Sequence, residues 1–180
     1  MTEPGRREAR KASTRRALEE AALRRFAAEG YDATSVEAIA ADAGVSTRTF
    51  FRYFATKDEV LDMGRGARQA ELRSVVAGAE GSGLAVVRAA VTALAAGFAG
   101  DRERVALRQR AAATSPVLRG RLFDTFASWE HALARELGGD ATARTLAAVG
   151  LGVFRAAVTE WLEEGGDLPA LVGEGFDAVA

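Results

Sequence analysis

The chain has 180 residues, of which 48% are hydrophobic and 27% are charged, and its formal net charge is −1. This composition is typical of a globular protein with enough apolar side chains for one or two domains. The absence of cysteine and the single histidine exclude disulfides, thiolate metal sites, cysteine nucleophiles and paired-histidine chemistry, so we predict no metal and no cofactor. Because the whole chain is not basic, any affinity for DNA must come from local placement of charge.

The sequence carries no clear signal for export or membrane insertion. Its most apolar stretches are interrupted by charge, as Arg144 and Arg155 interrupt the stretch 141–158. The N-terminus is rich in arginine and lacks the apolar segment of a secretory signal. We therefore expect a cytoplasmic protein with no membrane partner. We interpret residues 1–10 as a flexible basic arm, which is either a solubilising tail or a contact to DNA.

The first firm helix is predicted over residues 13–29. Leu18, Ala22 and Phe26 recur every four residues and give this helix one apolar face. Gly30 follows it, as a glycine commonly follows a helix end. After the next turn, Thr34 is followed three residues later by Glu37. This spacing is that of a capping box and predicts the start of a second helix.

The second and third helices are predicted to form a helix-turn-helix. Gly44 breaks the second helix, and Ser46 is a suitable N-cap for the third. Ala40, Gly44 and Phe50 stand in the order that this motif needs. A small residue lets the helices approach, a glycine allows the tight turn, and a bulky apolar side chain anchors the third helix.

The residues that the third helix exposes indicate a DNA-binding function. Three basic residues and no acid lie between Ala43 and the end of the motif at Lys57. Arginine can bind guanine with two hydrogen bonds, threonine can contact a base edge, and tyrosine and lysine can hold phosphates. The alternative is a solvated helix with scattered charges, but the combination with a helix-turn-helix favours a helix that lies in the major groove.

The run TSVEAIAADAGVSTRTFFRYF, followed by KDEVL, resembles the N-terminal domain of the tetracycline-repressor (TetR) family of bacterial transcription regulators. The resemblance covers residues 12–62. It implies that bases are contacted by Arg48, Thr49 and Arg52. It also implies that the phosphate backbone is contacted by Thr34, Ser35, Thr47, Phe51, Tyr53 and Lys57.

The rest of the chain is predicted to be helical as well, because no strand-like alternation occurs. Six further helices are expected at 57–77, 84–99, 102–113, 117–137, 142–163 and 168–179. The fold class is therefore all-α, with about nine helices. We predict a DNA-binding domain at residues 1–57 and a larger effector-binding and dimerisation domain at residues 58–180.

A single helix-turn-helix makes few contacts with DNA, so we expect a homodimer that reads two half-sites of a palindromic operator. The last two helices are the candidates for the dimer interface, because they are rich in aromatic and small residues. The candidate interface residues are Val153, Phe154, Ala157, Trp161 and Phe176. The alternative is that these side chains close the core of a single chain.

The middle of the chain is predicted to enclose an effector pocket lined by Leu94, Phe98, Phe126 and Trp129. The segments RERVALRQRAAATSPVLRGRLFDTFASWEHALARELG and WLEEGGDLPALVGEGFD resemble the effector domain of the acyl-CoA-binding branch of the TetR family, which includes the mycofactocin regulator. This resemblance implies a fatty-acyl-CoA or a similar apolar effector that releases a repressor from DNA. Arg104 and Arg108 then meet phosphates at the pocket mouth, or they belong to a solvated basic face.

Two other functions are weighed against an effector-controlled regulator. One is a DNA-bound regulator without a small-molecule effector. The other is an acyl-CoA-using enzyme. The enzyme is disfavoured because the sequence has no nucleophile elbow and no phosphate-binding loop, and it lacks the cysteine or histidine pair of the common catalytic arrangements.

Overall fold

A computed structural model describes residues 3–180, with side chains from residue 5 onward. Within this range the fold is all-α, as predicted, with nine α-helices, one short 3-10 helix and no strand. The α-helices are α1 (Glu3–Glu29), α2 (Val36–Asp42), α3 (Thr47–Tyr53), α4 (Arg65–Gly78), α5 (Leu84–Ala99), α6 (Arg102–Ala113), α7 (Pro116–Glu136), α8 (Ala141–Glu164) and α9 (Leu168–Asp177). The 3-10 helix is Lys57–Leu61 and lies between α3 and α4.

The chain folds into two compact units, and neither is a continuous segment. The first unit contains the residues up to Met63 together with Glu103–Phe123, and the second contains Gly64–Arg102 and Asp124–Ala180. The boundary expected between residues 57 and 58 stays a prediction about the functional domains. The helices α2 and α3 share their compact unit with most of α6 and the first part of α7.

The core of the first unit is built from α1, α2, α3 and the 3-10 helix. Leu18 and Phe26 of α1 are fully buried, as are Ile39 of α2 and Phe50 of α3. A bidentate ion pair also joins α1 to α2: the Arg25 guanidinium donates to the Asp42 carboxylate at 2.6 Å and 2.9 Å. These hydrogen bonds lower the pKa of Asp42, despite the small opposing effect of desolvation.

In the second unit, α5 packs against α4, α8 and α9. The side of α5 that carries Val87, Val91 and Leu94 is buried, whereas Ala85, Ala89 and Ala96 on the opposite side are exposed. A close approach to α8 depends on Gly150. A Cβ atom at this position would lie 2.4 Å from Val87 Cγ1 and 3.2 Å from a Val91 methyl group, which leaves no room for a larger residue.

The predicted start of the first helix is wrong. The first helix begins at Glu3 instead of near residue 13, so the residues expected to form a flexible arm are helical from position 3 onward. Residues 1 and 2 lie outside the described part of the chain. Alanine, arginine, lysine and glutamate dominate this segment and favour helix. Pro4 lies in the first turn, where a helix tolerates proline.

The single helix expected over residues 57–77 is interrupted. The 3-10 helix ends at Leu61, and α4 begins at Arg65 after a turn in which Met63 and Gly64 both have positive φ, at 52° and 69°. Glycine adopts this left-handed conformation at little cost, and here it stands at the N-cap of α4. Gly64 therefore separates the 3-10 helix from α4.

The predicted dimer-interface residues are also corrected. Phe154, Trp161 and Phe176 are at most 2% exposed in the single chain, and Val153 and Ala157 are buried too. This burial agrees with the alternative, that these side chains close the core of a single chain, in which α5, α8 and α9 pack against one another. By length and composition α8 is apolar enough to cross a membrane, as are α5 and α6 if that bent pair is taken as one span; 44% of the most apolar part of α8 is buried in the single chain.

Candidate nucleic-acid interface

The turn between α2 and α3 is closed by backbone geometry. Gly44 adopts a φ of 66°, and its N–H donates to the carbonyl of Ala41 at 3.0 Å. The next N–H, from Val45, donates to the Ala40 carbonyl at 2.9 Å. These two bonds form a Schellman motif, which ends α2 sharply. Two residues after Gly44, the Ser46 hydroxyl accepts the Thr49 N–H at 3.2 Å and caps the N-terminus of α3.

Burial on one side of α3 leaves its polar side exposed. Phe50 is fully buried, and its ring contacts that of Phe54 with a centroid separation of 5.4 Å. Arg48, Phe51 and Arg52 are exposed on the other side. Neither arginine forms an ion pair with an acid in the described range. Both guanidinium groups are thus available to an external ligand, and Phe51, at 55%, is unusually exposed for its size.

Around these exposed residues lie several half-buried groups predicted to contact DNA. Thr47, Thr49 and Tyr53 are half-buried. The guanidinium carbon of Arg52 lies 5.3 Å from the centroid of the Tyr53 ring, so the aromatic ring helps to orient the arginine. The structure therefore places the predicted α3 residues on one short helix, with only Arg48, Phe51 and Arg52 exposed opposite Phe50, and their contacts with DNA stay a prediction.

At the start of α2 the structure corrects the assignment of the cap. Ser35 is the N-cap, because its hydroxyl accepts the Ala38 N–H at 3.1 Å. Thr34 is 2% exposed and its hydroxyl donates to the Gly30 carbonyl at 2.8 Å. The prediction that the Thr34 side chain contacts phosphate is therefore wrong. Ser35 is exposed and remains a candidate for that contact.

Lys57 has a structural role that was not predicted from the sequence. Its ammonium group donates to the carbonyls of Tyr31 at 2.6 Å and Thr34 at 3.0 Å, and it lies 4.1 Å from the Tyr31 ring centroid. These contacts fix the turn before α2 to the 3-10 helix. An ammonium group has three donors, so one remains for a phosphate.

A second feature missed from the sequence is a buried carboxylate in the first unit. Glu19 of α1 is 7% exposed, and Arg108 of α6 is 2% exposed. Glu19 accepts from Arg15 at 3.1 Å and from Arg108 at 3.4 Å, and an Arg104 nitrogen lies 3.7 Å away. The signal was present in the helical phase, because Glu19 lies on the face of α1 that carries Ala22 and Phe26.

The same unit contains another ionic contact, between the 3-10 helix and α7. The Arg121 guanidinium donates to Asp58 at 2.7 Å, and the Tyr31 hydroxyl donates to the other carboxylate oxygen at 3.4 Å. Burial opposes ionisation of Asp58, but hydrogen bonds from Arg121 and Thr56 outweigh it and hold its pKa below the ordinary value. Burial, with Asp58 close by, raises the pKa of Tyr31.

Of the predicted effector-pocket residues, the structure brings the aromatic ones together. Phe98 and Phe126 lie 6.0 Å and 5.5 Å from Trp129 between ring centroids. Leu94 and Trp129 are fully buried. The indole N–H of Trp129 is also buried and has no hydrogen-bond partner in the described range. The aromatic set also includes Phe154, which was assigned to the dimer interface from the sequence.

The two arginines predicted at the pocket mouth are placed differently. The guanidinium group of Arg108 is buried against Glu19, so its assignment to a mouth that meets phosphates is contradicted. Arg104 is about one quarter exposed, and its guanidinium group is attracted to the same carboxylate. Both side chains therefore hold α6 against α1.

Comparisons of sequence identify the two parts of the chain. Residues 18–62 match the family model described as bacterial regulatory proteins of the tetR family, and residues 82–180 match the MftR C-terminal domain. The chain is 29% identical over 181 residues to a protein of Mycobacterium tuberculosis described as the mycofactocin biosynthesis transcriptional regulator MftR, covering 94% of this chain and 91% of that protein. It is also 49% identical over 57 residues to the regulator TcmR of Streptomyces glaucescens, covering 32% of this chain and 25% of TcmR.

Comparisons of structure agree on the fold. The fatty acid degradation regulator FadR of Bacillus halodurans matches with a TM-score of 0.67 and 21% identity, over 92% of this chain and 94% of that one. FadR of Bacillus subtilis, solved with stearoyl-CoA, matches with a TM-score of 0.65 and 20% identity, over 91% and 96%. The tetR family consists of DNA-binding transcription regulators, not enzymes. The chain therefore belongs to the TetR family of transcriptional regulators and carries an MftR-type C-terminal domain.

Proposed function

We propose that the chain is a cytoplasmic repressor that binds a palindromic operator as a homodimer and leaves it when an acyl-CoA-like effector binds. The observation that carries the DNA-binding part is the exposure of Arg48 and Arg52 on a helix anchored by the buried Phe50. Neither arginine is neutralised by an acid within the described range. In a major groove, each can bind a guanine with two hydrogen bonds.

Within the helix-turn-helix, we propose that some residues contact bases and others contact the phosphate backbone. Thr49 lies between the two arginines in sequence, and we assign it to a base edge or a thymine methyl group. The phosphate backbone is assigned to Ser35, Thr47, Phe51 and Tyr53, with the third donor of Lys57. Thr34 is excluded from this set, because its hydroxyl is already bonded inside the protein.

We expect Arg48→Ala or Arg52→Ala to weaken specific binding by about 1–3 kcal/mol, or about 5- to 150-fold, with a smaller loss on random DNA. The operator is first selected from randomised duplexes, and fluorescence anisotropy then measures both affinities. Arg135→Ala, an exposed arginine on α7, is the control that should change neither. Equal losses on operator and random DNA would contradict the assignment of these arginines to bases.

The dimer is proposed because one short recognition helix covers only a single half-site. Since the aromatic residues of α8 and α9 are buried, the proposed contact moves to the outward side of α8. Ala148, Gly152 and Ala156 succeed one another there every four residues, and a Cβ atom at Gly152 would meet nothing within 4 Å. Such small residues permit close helix packing. In the same anisotropy experiment, a single half-site should bind far more weakly than the palindrome.

The effector proposal rests on the Trp129 indole N–H. A buried donor without a partner costs free energy, and a bound carbonyl oxygen would satisfy it. The aromatic side chains around it suit an acyl chain. Solved FadR regulators with lauroyl-CoA and with stearoyl-CoA have the same fold, which supports testing this ligand class first.

We expect acyl-CoA of suitable chain length to raise the thermal unfolding temperature, because a ligand of the folded state at 100 times its Kd adds about 2.7 kcal/mol. Free CoA should have little effect. Trp129→Phe keeps an aromatic ring without the N–H, and we expect it to reduce the shift while the unliganded protein remains folded. The absence of a shift with every chain length would favour a regulator without a small-molecule effector.

A further inference from the structure

The helix α1 extends well beyond the core that it helps to build. Its first buried residue is Leu18, and all residues from Gly5 to Ser13 are exposed. A helix in water is stabilised mainly by packing of an apolar face, and this segment has none. At 1.5 Å per residue, the ten residues from Gly5 to Thr14 project about 15 Å from the packed part of the helix.

The exposed segment has a strongly uneven distribution of charge. Residues 5–14 contain four bases and one acid, whereas the whole chain has a net charge of −1. At about 100° per residue, Arg6, Arg7, Arg10 and Lys11 fall within about 140° of the helix circumference. The opposite side carries Gly5, Glu8, Ala9, Ala12 and Ser13. Within the described range, Arg6, Arg10 and Lys11 form no ion pair. We call this side the basic face of α1.

The C-terminal end of this segment lies close to the recognition helix α3. The Arg15 guanidinium lies 4.6 Å from the centroid of the Phe54 ring, and one of its nitrogens lies 3.5 Å from the Tyr53 carbonyl, at the C-terminal end of α3. Lys11 lies one turn before Arg15 on α1. The basic face therefore begins next to Tyr53, a residue that we assign to the phosphate backbone.

We propose that the basic face of α1 is a second DNA-binding element, which binds backbone phosphates next to the groove occupied by α3. It rests on the operator binding proposed above and adds contacts outside the helix-turn-helix. Lysine and arginine bind phosphates without reading sequence, so the element increases affinity and leaves base preference unchanged. Because the segment is helical, the four bases are held in one array instead of on a disordered tail.

The test is the salt dependence of operator binding by the full-length triple variant R6A/R10A/K11A. Removing one phosphate-binding side chain lowers the steepness of log Kobs against log salt by about 0.9, so removing three lowers it by up to about 2.7 per chain. The preferred operator sequence should not change. The matched control is R110A/R119A/R135A, which removes the same charge from exposed positions on α6 and α7. The conservative variant R6K/R10K/K11R should retain the wild-type slope.

Hydroxyl-radical footprinting provides an independent readout, because backbone positions protected by wild type should become accessible with the triple variant and stay protected with the control. A triple variant with the slope and footprint of wild type would overturn the proposal. A fall in slope equal to that of the control would also overturn it, because the effect would then be one of net charge. If wild type itself fails to select or bind an operator, the proposed function fails instead.

Discussion

Phe50→Ala is expected to lower the free energy of unfolding by about 3–5 kcal/mol, the usual cost of truncating a buried phenylalanine. The side chain is fully buried beneath α3 and contacts the rings of Phe51 and Phe54. Its removal leaves a cavity under the recognition helix, so operator affinity should fall together with stability. Urea denaturation followed by circular dichroism measures the first effect, and fluorescence anisotropy measures the second.

The neighbouring residue is a matched control for this prediction. Phe51 has the same side chain but is 55% exposed, so Phe51→Ala should change stability by no more than about 0.5 kcal/mol. Phe50→Leu keeps most of the buried volume and should cost less than about 1.5 kcal/mol. This variant keeps the prediction testable if the alanine variant does not fold. Similar losses for Phe50→Ala and Phe51→Ala would contradict the role of Phe50 as the anchor of α3.

Arg108→Ala is expected to destabilise the protein by about 3 kcal/mol. Removing one partner of a buried ion pair leaves an uncompensated charge, which typically costs about 3–5 kcal/mol. We expect the lower end, because Glu19 keeps its 3.1 Å bond to Arg15. Thermal or urea unfolding of the unliganded protein provides the measurement.

Two further variants separate the loss of the pair from the loss of a positive charge. The double variant E19Q/R108M removes both charges and preserves much of the buried volume, so it should recover most of the lost stability. Arg110→Ala removes an exposed arginine from the same helix and should have an effect within about 0.5 kcal/mol. If Arg108→Ala and Arg110→Ala are equally mild, the buried pair does not hold α6 to α1.

The helix-turn-helix was predictable because its signals are local. Gly44 stands where the chain needs a positive φ, Ser46 caps the helix that follows, and Phe50 is the apolar anchor. Each signal acts over a few residues, so neighbouring sequence decides the structure. The ends of other helices were predicted less well. At Gly64, for example, a glycine tolerated inside a helix and a glycine that ends one look alike until its φ is known.

Contacts between distant segments were not predictable in the same way. The sequence suggested neither the pairing of Glu19 with Arg108 nor that of Asp58 with Arg121, since 89 and 63 residues separate the partners. The aromatic residues of α8 and α9 failed for a related reason. Their periodicity shows that one face is apolar, but whether that face packs on the same chain or on a second copy depends on the tertiary fold. Here Phe154, Trp161 and Phe176 are already buried in the single chain, in which α5, α8 and α9 pack against one another.

The discontinuity of the first compact unit has a consequence for protein synthesis. The ribosome makes α1, α2 and α3 first, but the arginines that pair with Glu19 and Asp58 follow only at positions 104, 108 and 121. During translation, the nascent N-terminal segment therefore has Glu19 held only by Arg15 until more than half of the chain has emerged. A truncated protein that ends near Leu61 would remain permanently in this incomplete state, although it contains every residue that we expect to read the operator.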